Sequence, residues 1–260
     1  MSDLVLTEDR GAVRHVVLNR VDKRNAFDHE LVLALGAALR AAADDASVHC
    51  VVLRGEGPMF SSGMDLASLQ DLSERPDGLR AFRRACTEGW NIAEEMEKPT
   101  VCSIQGACIG GALELALACD LRVVAEDAIL GLPETRIGLI PDVGGSSRLP
   151  QVVGVGRAKE LILTGKMIDG REAERIGLAN RAVPAAELEA ATDALVGELT
   201  ACAPIAVGLA KRAIDASARP TLSTSLELEV ALQEVCARSS DFAEGAQAFR
   251  EKRPPEFSGR

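Results

Sequence analysis

The chain has 260 residues, 47% hydrophobic and 26% charged, which is an ordinary globular balance with enough length for a substantial core. Its 29 basic and 39 acidic residues give a formal charge of −10, and aromatics make up only 3%, with no tyrosine. These values exclude a general phosphate-backbone binder and a base-stacking platform, although a few local cations would suffice for an anionic small molecule.

Residues 3–19 read as two short strands around the turn Glu8-Asp9-Arg10-Gly11. From Asp28 to about Ala43, Leu31, Leu33, Leu35, Ala38 and Leu39 make an apolar face compatible with a helix. His49–Arg54 is a third strand, closed by the turn Gly55-Glu56-Gly57-Pro58. A helix over 79–96, the strand Thr100–Ile104, a helix from about Gly110 and the strand Leu121–Ala125 follow. This alternation predicts an α/β fold with crossover connections. After residue 145 the pattern predicts an almost wholly helical chain, with helices at 156–164, 171–177, 185–201, 203–217, 221–238 and 241–252. The expected division is a core over 1–199 carrying the active site and a helical region over 200–260.

The seven cysteines form no CxxC pair, and His15, His29 and His49 show no metal-ligand spacing. No leader pattern and no apolar run of transmembrane length occur, so the expectation is a cytoplasmic protein without a membrane segment or metal.

Two acids stand in unusual company. Glu114 interrupts the otherwise uncharged run Gly110-Gly111-Ala112-Leu113-Glu114-Leu115-Ala116-Leu117-Ala118-Cys119, and Glu134 lies among apolar and turn residues in Gly131–Pro141. Desolvation disfavours a buried carboxylate, so such acids either pair or rise in pKa; Arg136 is the nearest candidate partner for Glu134. Two that converge can exchange protons near neutral pH. In Phe60-Ser61-Ser62-Gly63-Met64-Asp65-Leu66, Gly63 permits a sharp turn and Met64 then offers a backbone N–H at a helix start. Gly106, Gly110 and Gly111 allow close backbone approach at another helix N-terminus. Two N–H groups aimed at one oxygen would form an oxyanion hole. The spacing matches neither GxGxxG nor a Walker loop. Asp142, in Pro141-Asp142-Val143-Gly144-Gly145, is either a third acid of the site or the cap of a helix at 144–149.

With these motifs in this order, the chain resembles the crotonase superfamily, closest to the enoyl-CoA hydratases, from about residue 12 to Ala248-Phe249-Arg250-Glu251-Lys252-Arg253-Pro254. The resemblance implies a spiral of ββα units followed by a helical trimerisation region, hence a homotrimer or a dimer of trimers. It implies an acyl-CoA thioester substrate, coenzyme A being part of that substrate rather than a separate cofactor. Met64 and Gly111 fall where the family's oxyanion N–H groups lie. Glu114 falls where the family activates water and Glu134 where it supplies a proton. Lys23, Arg24, Ala26, Ser62, Met64, Asp65, Leu66 and Lys252 fall in positions expected to meet coenzyme A, Lys252 by reaching a neighbouring subunit. Three residues depart from the common hydratase pattern or add to it. Met64 replaces a typical Ala, Ala67 replaces a frequent Lys, and Asp142 matches an acid of the dienoyl-CoA isomerases. Hydration of a 2-enoyl-CoA is the leading expectation, with double-bond isomerisation as the alternative. A silent scaffold or an RNA-binding member is opposed by the two glutamates and the acidic balance.

Overall fold

The computed structural model describes residues 4–218 and 222–256. β1 (Val5–Arg10) and β2 (Val13–Leu18) form an antiparallel hairpin. α1 (His29–Asp44) then crosses to β3 (Cys50–Gly55), which pairs parallel to β2. α2 (Leu66–Ser73) and α3 (Gly78–Glu95) precede β4 (Thr100–Ile104), again parallel. Residues 50–53 of β3 and all of β4 are buried, as expected for parallel strands covered on both faces.

β5 (Ala107–Ile109) leads into α4 (Gly111–Ala118), and β6 (Leu121–Ala125) returns to the main sheet. β7 (Ile129–Gly131) is followed by a single 3-10 turn over Glu134–Ile137, then α5 (Gly145–Val153) and α6 (Val155–Thr164). β8 (Ile168–Asp169), α7 (Gly170–Arg175), β9 (Arg181–Val183) and α8 (Leu188–Thr200) complete the α/β part. The main sheet has the order β1-β2-β3-β4-β6-β9, and a second sheet has the order β5-β7-β8. The expectation of an almost wholly helical chain after residue 145 is corrected at two places: β8 and β9 are strands that close the edges of the two sheets. Each is so short that its pattern cannot be told from a helix terminus.

α9 (Pro204–Ala218), α10 (Leu222–Ala237) and α11 (Ser240–Glu251) form the C-terminal helical region. α10 packs on α5, and α11 packs on the 3-10 turn that carries Glu134. Ile205, Leu209, Ile214 and Val235 are exposed in this region, whereas Leu226 is buried within the protomer. The side chains of Leu222, Leu228 and Leu232 lie outside the described residues. Among the described residues, no single helix is long and apolar enough to cross a membrane.

Candidate active site

All eight residues of α4 are buried, including Glu114 in its first turn. A helix that is apolar all round has no face to give to water, so its lone acid enters the core with it. Its partners come from another element. Glu114 Oε1 accepts hydrogen bonds from the backbone N–H groups of Val143 (3.0 Å) and Gly145 (2.8 Å) at the start of α5. The carboxylate thus sits where that helix presents free N–H groups and its positive end. Both bonds fix Oε1 as an acceptor.

The loop that supplies these N–H groups is itself pinned. Arg148, fully buried, donates from Nη1 to Val143 O (3.1 Å) and from Nε and Nη2 to Glu94 Oε2 (2.9 and 2.6 Å). Nη2 also donates to Asn91 Oδ1 (2.6 Å).

Asp142 does not cap α5. Gly144 stands at that cap without a side-chain bond, and Glu114 takes the helix-start N–H groups instead. Asp142 is buried and forms an ion pair with Arg83 of α3, so the cap reading is corrected. Burial pushes its carboxyl above the usual range, against the pull of the Arg83 guanidinium.

Glu134 opens the 3-10 turn after β7. Arg136 turns away and donates to Thr164 O (3.0 Å). Glu134 Oε2 is buried with no hydrogen-bond partner among the described residues. Its carboxyl is pushed well above the ordinary range, first by burial and then by the negative charge of Asp142. It lies against the helix start of α4: a Cβ at Gly110 would sit 3.0 Å from Glu134 Oε1. Gly110, at φ 58° and ψ −128°, has a conformation open only to glycine, and its N–H donates to Gly131 O (2.9 Å).

The Met64 loop is brought to this point by short bridges. Phe27 N–H donates to Gly63 O (2.8 Å), Asp65 N–H donates to Phe27 O (2.9 Å), and Ser61 bridges Cys108. Gly63, at φ 93°, packs so closely that a Cβ there would lie 2.4 Å from Ile109 O and 3.7 Å from Gly111 N. Neither Met64 N–H nor Gly111 N–H donates to another described residue. The Met64 side chain lies over Gly111, whose Cβ, if present, would be 2.6 Å from Met64 Cε.

One cavity of about 660 Å³ gathers these groups: Met64, Gly111, Glu114, Glu134 and Asp142 all line it. Lys23, Arg24, Ala26, Ser62, Asp65 and Leu66 line it as well. Lys23 and Arg24 are exposed cations beside the cavity. Asp65 is committed elsewhere: it pairs with Arg20 (2.9 Å) and caps α2 through Ala67 and Ser68 N–H. Lys252 is not brought to this cavity; it is exposed and ends α11 with a left-handed backbone (φ 55°). Among the described residues, no cluster of three or more His, Cys, Asp or Glu is placed to hold a metal ion.

Arg83, Gln233, Phe242 and Phe249 also line the cavity and were not expected from the sequence. Arg83 carried a legible signal, because it shares the buried stripe of α3 with Cys86, Trp90 and Ala93 at helical spacing. Asn25 was missed too. Its buried Nδ2 donates to the carbonyls of Glu56, Met59 and Phe60, and so ties the Lys23-Arg24 loop to the turn before Met64.

The family model described as enoyl-CoA hydratase/isomerase matches residues 8–260. A Bacillus subtilis protein described as a putative enoyl-CoA hydratase/isomerase, YngF, is 36% identical over 247 residues, covering 94% of each chain. A crotonyl-CoA hydratase from Syntrophomonas wolfei is 33% identical, covering 97% of each chain. The crystal structure of an enoyl-CoA hydratase from Mycobacterium avium subsp. paratuberculosis superposes with a TM-score of 0.89 at 30% identity, covering 98% of both chains. With the crotonase-type fold and the match running almost from end to end, this chain belongs to the enoyl-CoA hydratase/isomerase family.

Proposed function

We propose that the protein is a 2-enoyl-CoA hydratase, adding water across the 2,3 double bond to give a 3-hydroxyacyl-CoA. The observation that carries this reading is the opposite condition of two acids on one cavity. Glu114 Oε1 is fixed as an acceptor by two N–H groups, while Glu134 Oε2 has no hydrogen-bond partner among the described residues and the carboxyl holds its proton above the ordinary carboxylate range. That asymmetry suits a base and an acid acting together.

In this reading the thioester oxygen accepts hydrogen bonds from Met64 N–H and Gly111 N–H. Glu114 takes a proton from water as the water oxygen bonds to C3. The π electrons move toward the thioester, giving an enolate whose charge the two N–H groups stabilise. Glu134 then delivers its proton to C2. Glu114 ends protonated and Glu134 ionised, so one proton passes between them, directly or through solvent, before the next turnover. Lys23 and Arg24 would meet the phosphates of coenzyme A, and the protein would work as a homotrimer or a dimer of trimers.

A second reading, double-bond isomerisation, is favoured by the position of Asp142. It lines the cavity and acts electrostatically on Glu134, so two acids are available to move a proton between carbons. Incubation with crotonyl-CoA and longer 2-enoyl-CoA esters, with products identified by mass, separates the two. Gain of one water supports hydration. Mass-neutral conversion of 3-enoyl or 3,5-dienoyl esters with no hydration overturns it.

A further inference from the structure

Arg148 lies fully buried on α5, and α3 meets its guanidinium through Glu94 and Asn91. Apolar side chains of similar volume can often replace a buried ion pair without loss of stability, so tying α3 to α5 does not explain this one. The remaining bond does. Arg148 Nη1 donates to Val143 O, the carbonyl of the peptide group that joins Val143 to Gly144. The peptide groups on either side of it give their N–H, from Val143 and from Gly145, to Glu114 Oε1. How those two N–H groups point relative to each other depends on the dihedrals at Val143 and Gly144. Gly144 supplies no restraint of its own, since it has no side chain and stands at φ 122°, where glycine is at ease and other residues are not. A Cβ there would overlap Arg148 Nη1, so the missing side chain is also what lets the guanidinium reach the carbonyl.

We propose that Arg148, held by Glu94 and Asn91, is a positioning residue for Glu114. By fixing the peptide between Val143 and Gly144 it keeps two N–H groups on one carboxylate oxygen, and so holds the base ionised and in place. This rests on the reading of Glu114 as the residue that takes a proton from water. Hydrogen bonds to a carboxylate favour its charged form, so loosening them makes Glu114 harder to ionise. Arg148 acts only through the peptide, because it does not line the cavity that Glu114 lines. The other charged groups around Glu114 are Glu134, Asp142 and Arg83 on the same cavity, and the buried thiol of Cys86 on α3 feels its charge. All four are left as they are in the test.

The variants are Arg148→Lys and the double change Arg148→Met/Glu94→Gln, which leaves no unpaired buried charge. Two readouts are compared. Infrared titration of the Glu114 carboxyl, its band assigned by loss in Glu114→Gln, needs no turnover. The pH profile of kcat and KM for crotonyl-CoA hydration reads the same group at work. In the double variant the Glu114 midpoint should rise by at least about one pH unit, a tenfold change in proton affinity, and the acid limb of kcat/KM should move up with it. Plateau kcat should fall about tenfold or more, the scale of a misplaced catalytic group, while KM changes little because no substrate contact is lost. Arg148→Lys keeps the charge without the fork that reaches Glu94, Asn91 and Val143 together, and should fall between the double variant and the wild type. A change that only destabilised the fold would lower the melting temperature and leave both midpoints in place. A folded double variant with both midpoints at their wild-type values would overturn the proposal; should it fail to fold, unmoved midpoints in Arg148→Lys would do so. A raised Glu114 midpoint without any hydration would keep this inference and sink the hydratase reading. Hydration whose acid limb ignores the loss of Arg148 would do the reverse.

Discussion

Glu134 and Asp142 line one cavity, and the negative charge of Asp142, itself paired with Arg83, helps to hold the proton on Glu134. Removing that charge eases ionisation of Glu134, because a like charge nearby disfavours the charged form. For a hydratase that needs Glu134 protonated, Asp142→Asn should therefore move the alkaline limb of kcat/KM to lower pH. Activity near pH 6 should fall less than about tenfold, since general acid–base help is retained. An unshifted limb would refute the coupling. A loss near pH 6 as deep as that of Glu134→Gln would favour the isomerase.

Glu114→Gln and Glu134→Gln should each lower hydration at least about a hundredfold, the usual scale for losing a general acid or base. Either folded variant turning over like the wild type would sink the assignment of roles.

Glu134 also leaves a signature in stability. Burial raises its carboxyl above the unfolded value of about 4.3, so between those two pH values the folded protein holds more protons than the unfolded chain. The associated stability is fully present below the unfolded pKa and is lost as pH rises through the folded one. Glu134→Gln removes this titration. Its stability relative to wild type, read from urea melts, should rise as pH increases from about 5 into the alkaline range. Parallel curves for the two proteins would contradict the burial argument.

Much of the α/β frame was legible because its strands are apolar runs and its helices carry an apolar stripe or, in α4, an almost unbroken apolar run. β2, α1, β3, α3, β4, α4 and β6 all follow that rule. The second sheet was not, since β5, β7 and β8 have three, three and two residues, too few to show alternation. Asp142 was misread as a possible cap because local sequence suggests one, while the N–H groups at that helix start belong to Glu114 from α4. Local chemistry gave way to a tertiary partner, as happens at functional sites. Arg83 and Gln233 reach the cavity from elements remote in sequence, which only the fold brings together.

The oxyanion assignment can be tested without touching any acid. Gly111 is the first residue of α4, a position where proline fits a helix start, so Gly111→Pro removes the N–H with little cost to the helix. The added ring would collide with Met64, and the cleaner comparison is Met64→Ala against Met64→Ala/Gly111→Pro. Met64→Ala keeps its own N–H and should change chain-length preference more than rate. The double variant should lose a further hundredfold or more in kcat, the cost of one oxyanion donor. Equal kcat in the two would exclude Gly111 N–H from the mechanism.

Assembly can be predicted from what α9 and α10 leave uncovered. Ile205, Leu209, Ile214 and Val235 are 79%, 51%, 65% and 71% exposed, a density of large apolar side chains that single scattered residues do not explain. Phe249 on α11 is 61% exposed and yet lines the cavity, so a neighbour covering this region would also complete the wall of the site. A homotrimer or a dimer of trimers is the expected state, with Ile205, Leu209 and Ile214 on α9 inside the interface. Light scattering at micromolar concentration should give a multiple of three chains. The triple change Ile205→Lys/Leu209→Lys/Ile214→Lys should release smaller species whose far-ultraviolet circular dichroism is unchanged. A wild-type monomer, or a triple variant that still elutes with the wild type, would place the interface elsewhere or remove it.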